Sequence, residues 1–277
     1  MKRAVARPAS SGARTTTRPS GSWRAVAARR PGSAPVQMPR RARYASRYGP
    51  VGVTTSSTTE ASLLRGYAGP PTVRLADAIS LRSRRRKLAL FLELMRPDAA
   101  TTVLDVGADE VSLGEPGGQG GCTTHNYLED AYRWPERITA LGLHDGTRFR
   151  ERYPGIAYVQ GDACALPFPD GAFDVVHSNA VLEHVGRRDR QEALVREALR
   201  VGRRVFLTTP NRWFPVEVHT RLPLVHWLPE PLAHRAYDLA RMPWAKDNHL
   251  LGPSGLRALF PGHVRIDNLW LTLVAST

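Results

Sequence analysis

The sequence has little cysteine, with only Cys122 and Cys164 among its 277 residues. Neither has a second cysteine or a histidine at the spacing of a zinc site. This scarcity excludes a disulfide framework, and we expect two reduced, unpaired thiols.

Long apolar runs are also missing. No stretch approaches the roughly 20 residues that cross a bilayer, and the N-terminus lacks the uninterrupted apolar segment of a secretory signal. The hydrophobic content of 42% and aromatic content of 8% are ordinary for a globular core. We therefore expect a soluble, cytoplasmic protein with one large α/β domain or two smaller ones.

Acidic residues are nearly absent from the first 60 positions, where Glu60 alone stands against twelve Lys and Arg. Most of the net charge of +14 lies in this segment, which is rich in Arg, Ser, Thr, Pro, Gly and Ala. It has too little apolar surface to offset the entropy of ordering, so we predict a disordered basic tail over residues 1–60. Three interpretations stay open: a solvated or partner-binding arm, an organelle transit peptide, or an over-extended start with Met38 as the true one.

The segment Leu75–Met95 has helical periodicity. Its apolar positions are Leu88, Phe91, Leu92 and Met95, and Arg96-Pro97 ends the run. The pattern predicts an amphipathic helix that leads into a sheet. Its basic cluster, residues 82–87, could contact phosphate, but a solvated helix face is the simpler interpretation.

Strand-like and helix-like segments then alternate as in βαβ units. The predicted strands are Thr102–Val106, Arg137–Leu141, Ile156–Gln160, Phe173–His177 and Val205–Thr209. Asp189–Arg200 is predicted to be a crossover helix. Two closing runs, Val264–Asp267 and Leu269–Ala275, are too close together for a crossover and should pair antiparallel. The sequence therefore predicts a Rossmann-like, doubly wound, mostly parallel α/β sheet with a C-terminal antiparallel hairpin.

The rhythm breaks between residues 211 and 246, where tryptophans stand among prolines. Such a segment makes poor regular structure but a good apolar lid, and it predicts a lid-like insertion in the domain. A short helix is expected at Pro253–Phe260, with Gly252 as its cap. We assign residues 61–277 to one domain that contains this insertion.

The segment Gly161-Asp162-Ala163-Cys164-Ala165-Leu166-Pro167-Phe168-Pro169-Asp170-Gly171-Ala172-Phe173-Asp174-Val175-Val176 is the most informative part of the chain. It is continued by Ser178-Asn179-Ala180-Val181-Leu182-Glu183-His184. With the strand Val103-Leu104-Asp105-Val106-Gly107, this segment resembles the class I S-adenosylmethionine-dependent methyltransferases, and specifically their type 11 small-molecule branch. The resemblance runs from Val103 to the end of the sequence.

The resemblance implies that S-adenosylmethionine binds beyond the carboxyl ends of the strands, as ligands do in open α/β sheets. Asp162 could accept from the exocyclic amine of adenine, and the Ala163 amide could donate to a ring nitrogen. Asp105 and Asp162 could instead cap loops or helices. The predicted cofactor-binding residues are Asp105, Gly107, Ala108, Gly142, Asp145, Gly161, Asp162, Ala163, Ser178 and Asn179.

Two positions depart from the family pattern. The second glycine of the first loop is displaced, because Ala108-Asp109-Glu110 follows Gly107 and a glycine-rich loop comes later. The acid that the family places after its second strand, for the ribose hydroxyls, falls on Gly142. Asp145 could replace that acid only if the turn carries it back.

The reaction implied by the resemblance is an in-line attack on the methyl sulfonium of the cofactor, for which the protein supplies proximity and orientation. His184 is the predicted general base, needed only for an acceptor that is protonated at working pH. Metal is not expected. The predicted substrate residues are Asn211, Trp213, Phe214 and His219, and peripheral membrane contact through Trp213, Phe214 and residues 222–232 would suit a lipid-like acceptor.

We therefore expect methyl transfer to a small molecule, lipid- or glycan-linked. Two other hypotheses remain. A catalytically silent relative would keep the sheet without the reaction, as the altered first loop suggests. RNA binding or methylation through the basic tail would show steep salt dependence, although no base-reading motif occurs outside the tail.

Overall fold

The computed structural model describes residues 71–108 and 126–277, with side chains from residue 78 onward. The predictions for the basic tail, for Cys122 and for the glycine-rich first loop lie outside these residues. Within them, no helix is both long and apolar enough to cross a membrane.

One seven-stranded sheet organises the fold, in the order β3-β2-β1-β4-β5-β7-β6. The first five strands are parallel, and β7 runs antiparallel to both β5 and β6. This arrangement confirms the predicted fold class. The strands are β1 (Val103–Val106), β2 (Ile138–Gly142), β3 (Ala157–Gln160), β4 (Phe173–Asn179), β5 (Gly202–Pro210), β6 (Arg265–Asn268) and β7 (Thr272–Ser276).

Helices cover both faces of the sheet, because successive strand residues point to opposite sides. Leu104, Val176 and Leu207 pack on the side of α4 and α6, while the neighbouring Val103 and Val175 pack with residues of α1, α2 and α3. The helices are α1 (Pro71–Met95), α2 (Tyr127–Ala131), α3 (Thr147–Arg152), α4 (Arg188–Val201), α5 (Glu230–Leu239) and α6 (Pro253–Arg257).

Helix α1 is present where periodicity predicted it, but its buried stripe differs from the prediction. Lys87, Phe91 and Met95 recur every four residues and are buried, whereas Leu92 is 37% exposed. The simple interpretation of residues 82–87 as a solvated face is therefore wrong for Lys87. Sequence pattern assigned the lysine to solvent, and tertiary packing buries it.

Two strands extend by two or more residues beyond their predicted ends. β4 continues to Asn179, so Ser178 and Asn179 are its last residues, and β5 begins at Gly202 because that residue pairs with Phe173 of β4. A side chain on Gly202 would stand 2.5 Å from Val176, so only glycine fits there. The Gly252 cap of α6 is confirmed, although α6 ends at Arg257 rather than Phe260.

The segment 211–246 contains more regular structure than predicted. Helix α5 begins after Pro229 with a proline in its first turn, which suits a helix start. Ala233 and Tyr237 lie one turn apart on its buried side and pack against a small apolar group of Leu222, Val225, Met242 and Trp244. The insertion therefore has a core of its own.

Candidate functional site

The carboxyl ends of the central parallel strands lie side by side. In β1, Val106 is aligned with Leu141 of β2 and Ser178 of β4, while Gly142 at the end of β2 is aligned with Gln160 of β3. The residues predicted to hold the cofactor lie at these positions or within three residues of them, so the structure brings them to the carboxyl end of the parallel strands.

Gly107 makes the turn out of β1. Its φ of +98° is a conformation that other residues rarely adopt, and an added Cβ would stand 2.1 Å from Val181 Cγ2. The amides of Gly107 and Ala108 both donate to the Leu141 carbonyl, at 2.8 and 3.0 Å. Gly107 is thus required by the close approach of the turn after β4.

Asp105 is buried within a polar chain. The Tyr127 hydroxyl donates to His177 Nε2 at 2.8 Å, and His177 Nδ1 makes a very short hydrogen bond to Asp105. Burial lowers the pKa of His177 to about 3, so its imidazole is neutral. Burial raises the pKa of Asp105 to about 6, against the opposing effect of the neighbouring Glu129. The pKa of Glu129 is raised well above its usual range by burial and by the Asp105 charge.

The end of β2 carries no acid for ribose. An added Cβ on Gly142 would lie 2.3 Å from the Tyr158 hydroxyl and 2.7 Å from the Ala108 carbonyl, so that space is filled. Asp145 Oδ1 accepts from the Thr147 amide at the first turn of α3. Its placement is that of a helix-start residue.

The end of β3 presents a hydrogen-bond acceptor beside a donor. Asp162 is 41% exposed, and both its carboxylate oxygens accept from Arg190 Nη2 of α4, at 3.0 and 2.8 Å. This hydrogen bonding, helped by the Cys164 amide, lowers the pKa of Asp162. No described residue accepts a hydrogen bond from the adjacent Ala163 amide. Gly161 lies immediately before this pair, and its backbone amide donates a hydrogen bond to the Gly142 carbonyl at 2.9 Å.

The end of β4 contacts α1. Lys87 Nζ donates to Asn179 Oδ1 at 2.5 Å, and the Thr208 hydroxyl donates to the same oxygen at 2.9 Å. Lys87 also lies 5.4 Å from the centre of the Tyr127 ring. Burial first, and then the Arg84 charge, lower the pKa of Lys87 to about 7. Ser178 is buried beside Asn179.

The turn after β4 meets the insertion at a second polar cluster. His184 Nε2 lies 3.2 Å from His219 Nε2, and each nitrogen is 3.8 Å from Glu183 Oε1. The Thr209 hydroxyl donates to Glu183 Oε2 at 2.9 Å, but no described residue hydrogen-bonds the buried Oε1. The predicted base His184 and the predicted substrate residue His219 are thus brought together.

Glu217 fixes the ring of His219. Its buried carboxylate accepts from His219 Nδ1 at 2.6 Å and from the Thr220 amide at 2.6 Å. Burial would raise the pKa of Glu217, but the His219 contacts outweigh it and lower that pKa to about 2. Burial is the largest effect on His219 and would lower its pKa, but the hydrogen bond to Glu217 and the charges of Glu183 and Glu217 together raise it. Burial lowers the pKa of His184.

The other predicted substrate residues have different surroundings. Asn211 is buried, and it ties the insertion to the hairpin by donating to the Trp270 carbonyl at 3.0 Å. Trp213 is 59% exposed, and Phe214 is half-buried nearby. His226 Nε2 donates to the carbonyls of Arg212 and Phe214, so it fixes the backbone on both sides of Trp213.

Several residues of these clusters were not predicted as site residues from sequence: Lys87, Tyr127, Glu129, Arg190 and Glu217. Each meets its partner through tertiary packing. Among these residues, only Glu217 could have been suspected from local sequence, because a carboxylate two residues before a histidine can accept a hydrogen bond from its ring.

Comparison with known proteins finds similarity to one family model. Residues 118–204 match the model of the methyltransferase domain. No curated protein matches the chain. Among solved structures, an S-adenosylmethionine-dependent methyltransferase from Mesorhizobium loti is 16% identical, with 67% of this chain and 94% of that chain covered and a TM-score of 0.41.

Two further solved structures are also similar. A SAM-dependent methyltransferase from Methanosarcina mazei is 16% identical over 65% of this chain and 92% of that chain, with a TM-score of 0.41. Phosphoethanolamine N-methyltransferase 2 from Haemonchus contortus, solved with S-adenosyl-L-methionine, is 16% identical over 67% and 38%, with a TM-score of 0.42. The family match confirms the resemblance to class I methyltransferases and their cofactor, S-adenosylmethionine.

Proposed function

We propose that this chain, which carries the methyltransferase domain over residues 118–204, transfers a methyl group from S-adenosylmethionine to an oxygen-bearing small molecule in the cytoplasm. The observation that carries the proposal is the pair formed by the Asp162 carboxylate and the Ala163 amide at the end of β3. An exposed acceptor beside an unused donor matches the amine and ring nitrogen of an adenine edge. The residues present therefore fit the cofactor.

Each part of the site has a separate task. The cofactor supplies a methyl group already activated as a sulfonium. Asp162 and Ala163 orient the adenine, and the turn at Gly107 brings backbone close to the crevice. The insertion covers the acceptor side and excludes water. His184 faces the same side with a half-exposed ring, where, with no metal ion bound, it would take a proton from a hydroxyl acceptor.

Calorimetric titration with S-adenosylmethionine and S-adenosylhomocysteine tests cofactor binding. We expect Asp162→Ala to weaken binding by about 1–3 kcal/mol, since an adenine amine loses its acceptor. The matched control is Asp170→Ala, which removes an exposed, arginine-paired carboxylate from the same loop. If the unaltered chain shows no saturable binding at high micromolar concentration, the proposal is rejected.

A lipid-linked acceptor is supported by the surface of the insertion. Large apolar side chains are exposed there: Trp213, Leu224, Trp227, Leu228 and Leu232. Such side chains at a site entrance suit contact with a membrane surface. We expect co-sedimentation with phospholipid vesicles that falls sharply in Trp213→Ala/Trp227→Ala and persists in Leu143→Ala, which removes an exposed leucine beyond β2. Equal sedimentation of all three proteins would contradict membrane contact through the insertion, and no sedimentation of any of them would favour a water-soluble acceptor.

One observation favours a second function, that of a methyltransferase-like protein without catalytic activity. Both carboxylate oxygens of Asp162 already accept hydrogen bonds from Arg190. An exposed ion pair of this kind is weak because solvent screens it, so adenine could displace it. Arg190→Ala separates the two functions. If the pair merely competes, this variant should bind the cofactor up to about fivefold more tightly than the unaltered chain. If neither protein binds, the silent function is preferred.

A further inference from the structure

The cluster of Glu183, His184 and His219 has the composition of a metal site. Two imidazole nitrogens and one carboxylate oxygen come together within the described residues, and they are the one such group found there. We propose that these three side chains bind a divalent transition-metal ion of the zinc class. Local sequence pattern does not indicate this site, because the two histidines come from the turn after β4 and from the insertion, 35 residues apart.

The distances between the three ligand atoms suit such an ion. They form a triangle with sides of 3.2, 3.8 and 3.8 Å. The point equidistant from its corners lies about 2.1 Å from each atom, within the range of zinc–nitrogen and zinc–oxygen bonds. An ion at that point would contact all three atoms without rearrangement of the backbone.

The buried oxygen of Glu183 is an independent sign of a ligand. Glu183 is fully buried, and its Oε1 has no hydrogen-bond partner among the described residues, although Thr209 satisfies Oε2. A buried carboxylate oxygen without a partner is costly. Because this oxygen points toward both imidazoles, a cation between them would satisfy it.

The surroundings orient the ligands as in known metal sites. Glu217 accepts from Nδ1 of His219, which leaves the Nε2 lone pair of the neutral ring directed at the centre. Thr209 fixes the Glu183 carboxylate in the same way. Imidazole with one carboxylate favours zinc and its neighbours over magnesium or calcium.

The site is open on one side. The side chains of His184 and His219 are 44% and 22% exposed, so a bound ion would retain a free coordination position. Resting on the proposed function, that position suits a hydroxyl or carboxylate oxygen of the acceptor. A histidine that ligates metal cannot also accept a proton at the same nitrogen, so His184 is then a ligand and not the general base.

Zinc titration of the full chain tests the site, without S-adenosylmethionine and after removal of metal by a chelator. We expect one equivalent of Zn²⁺ by calorimetry, and visible absorption from bound Co²⁺. His184→Ala and His219→Ala should each weaken binding on the order of a hundredfold or more. His234→Ala is the matched control, because His234 lies 3.8 Å from Glu230 on the surface, in an ion pair outside the cluster.

Two further variants distinguish loss of metal binding from loss of folding. Glu183→Gln keeps an acceptor for Thr209 and should abolish the Co²⁺ spectrum in a protein whose far-ultraviolet circular dichroism is unchanged. Glu217→Gln should weaken Zn²⁺ binding by about 10- to 100-fold with the same stoichiometry, as expected for a positioning residue.

Two results would overturn the inference: no saturable Zn²⁺ binding, or equal binding by the unaltered chain and His184→Ala/His219→Ala. The two proposals can fail independently. Cofactor binding is measured on the chelator-treated protein without metal, and metal binding is measured without cofactor.

Discussion

Replacement of Lys87 by methionine should change how stability depends on pH. Methionine fills a similar volume without charge, and Asn179 Oδ1 keeps its hydrogen bond from Thr208. The pKa of Lys87 is about 7 in the folded chain, against 10.5 for an ordinary lysine. Between these values the unfolded chain binds more protons, so the free energy of unfolding rises with pH.

The size of the effect follows from the shift in pKa. A difference of about 3.5 units corresponds to about 5 kcal/mol, or about 1.4 kcal/mol for each pH unit between 7 and 10.5. Below pH 7 both states carry the charge and the penalty is constant. Burial causes most of the shift, and the Arg84 charge adds to it while the Glu183 charge opposes it.

Urea unfolding at a series of pH values measures this difference. The unaltered chain should gain stability relative to Lys87→Met as pH rises from 7 to 10.5, and the difference should be flat below pH 7. Leu88→Met is the control for altered packing on the same helix, and its profile should run parallel to that of the unaltered chain. Parallel profiles for Lys87→Met as well would refute the argument that burial holds this lysine near neutrality.

Two other predictions concern the edge of the sheet. Gly107→Ala should destabilise the fold by about 2–5 kcal/mol, because alanine is strained at this φ and its Cβ would collide with Val181. Adding Val181→Ala should recover the part of the loss that comes from the collision, but not the part that comes from the φ. Additive losses in a double-mutant cycle would contradict this explanation. His177→Phe should lower the free energy of unfolding by about 3 kcal/mol, because Asp105 and Tyr127 lose their buried partner, and a loss under about 1 kcal/mol in urea unfolding would show that the polar chain contributes little.

The sheet could be predicted because its strands are short apolar runs separated by turn residues. Val103 and Leu104 are buried on opposite faces, as a run of aliphatic residues ending at Asp105 and Gly107 indicates. The start of β5 could not be placed, because Gly202 and Arg204 look like part of a loop until their pairing with β4 is known.

The polar contacts were harder to predict because they join distant parts of the chain. Local pattern placed Lys87 in solvent, and only its contact with Asn179, 92 residues later, explains its burial. The hydrogen bond between Arg190 and Asp162 likewise joins residues that are 28 positions apart in sequence. Sequence indicated which side chains gather at the edge of the sheet, but not which of them bind one another.

The pairing of β5 with β7 bears on how the molecule assembles. Strands β1 to β5 are joined in parallel by crossovers, whereas β7 reaches β5 only after the whole insertion has been spanned. Contacts that close long loops form late, since their entropic cost precedes their gain. Pulsed hydrogen exchange during refolding should therefore show protection of β1 and β4 amides before those of β7.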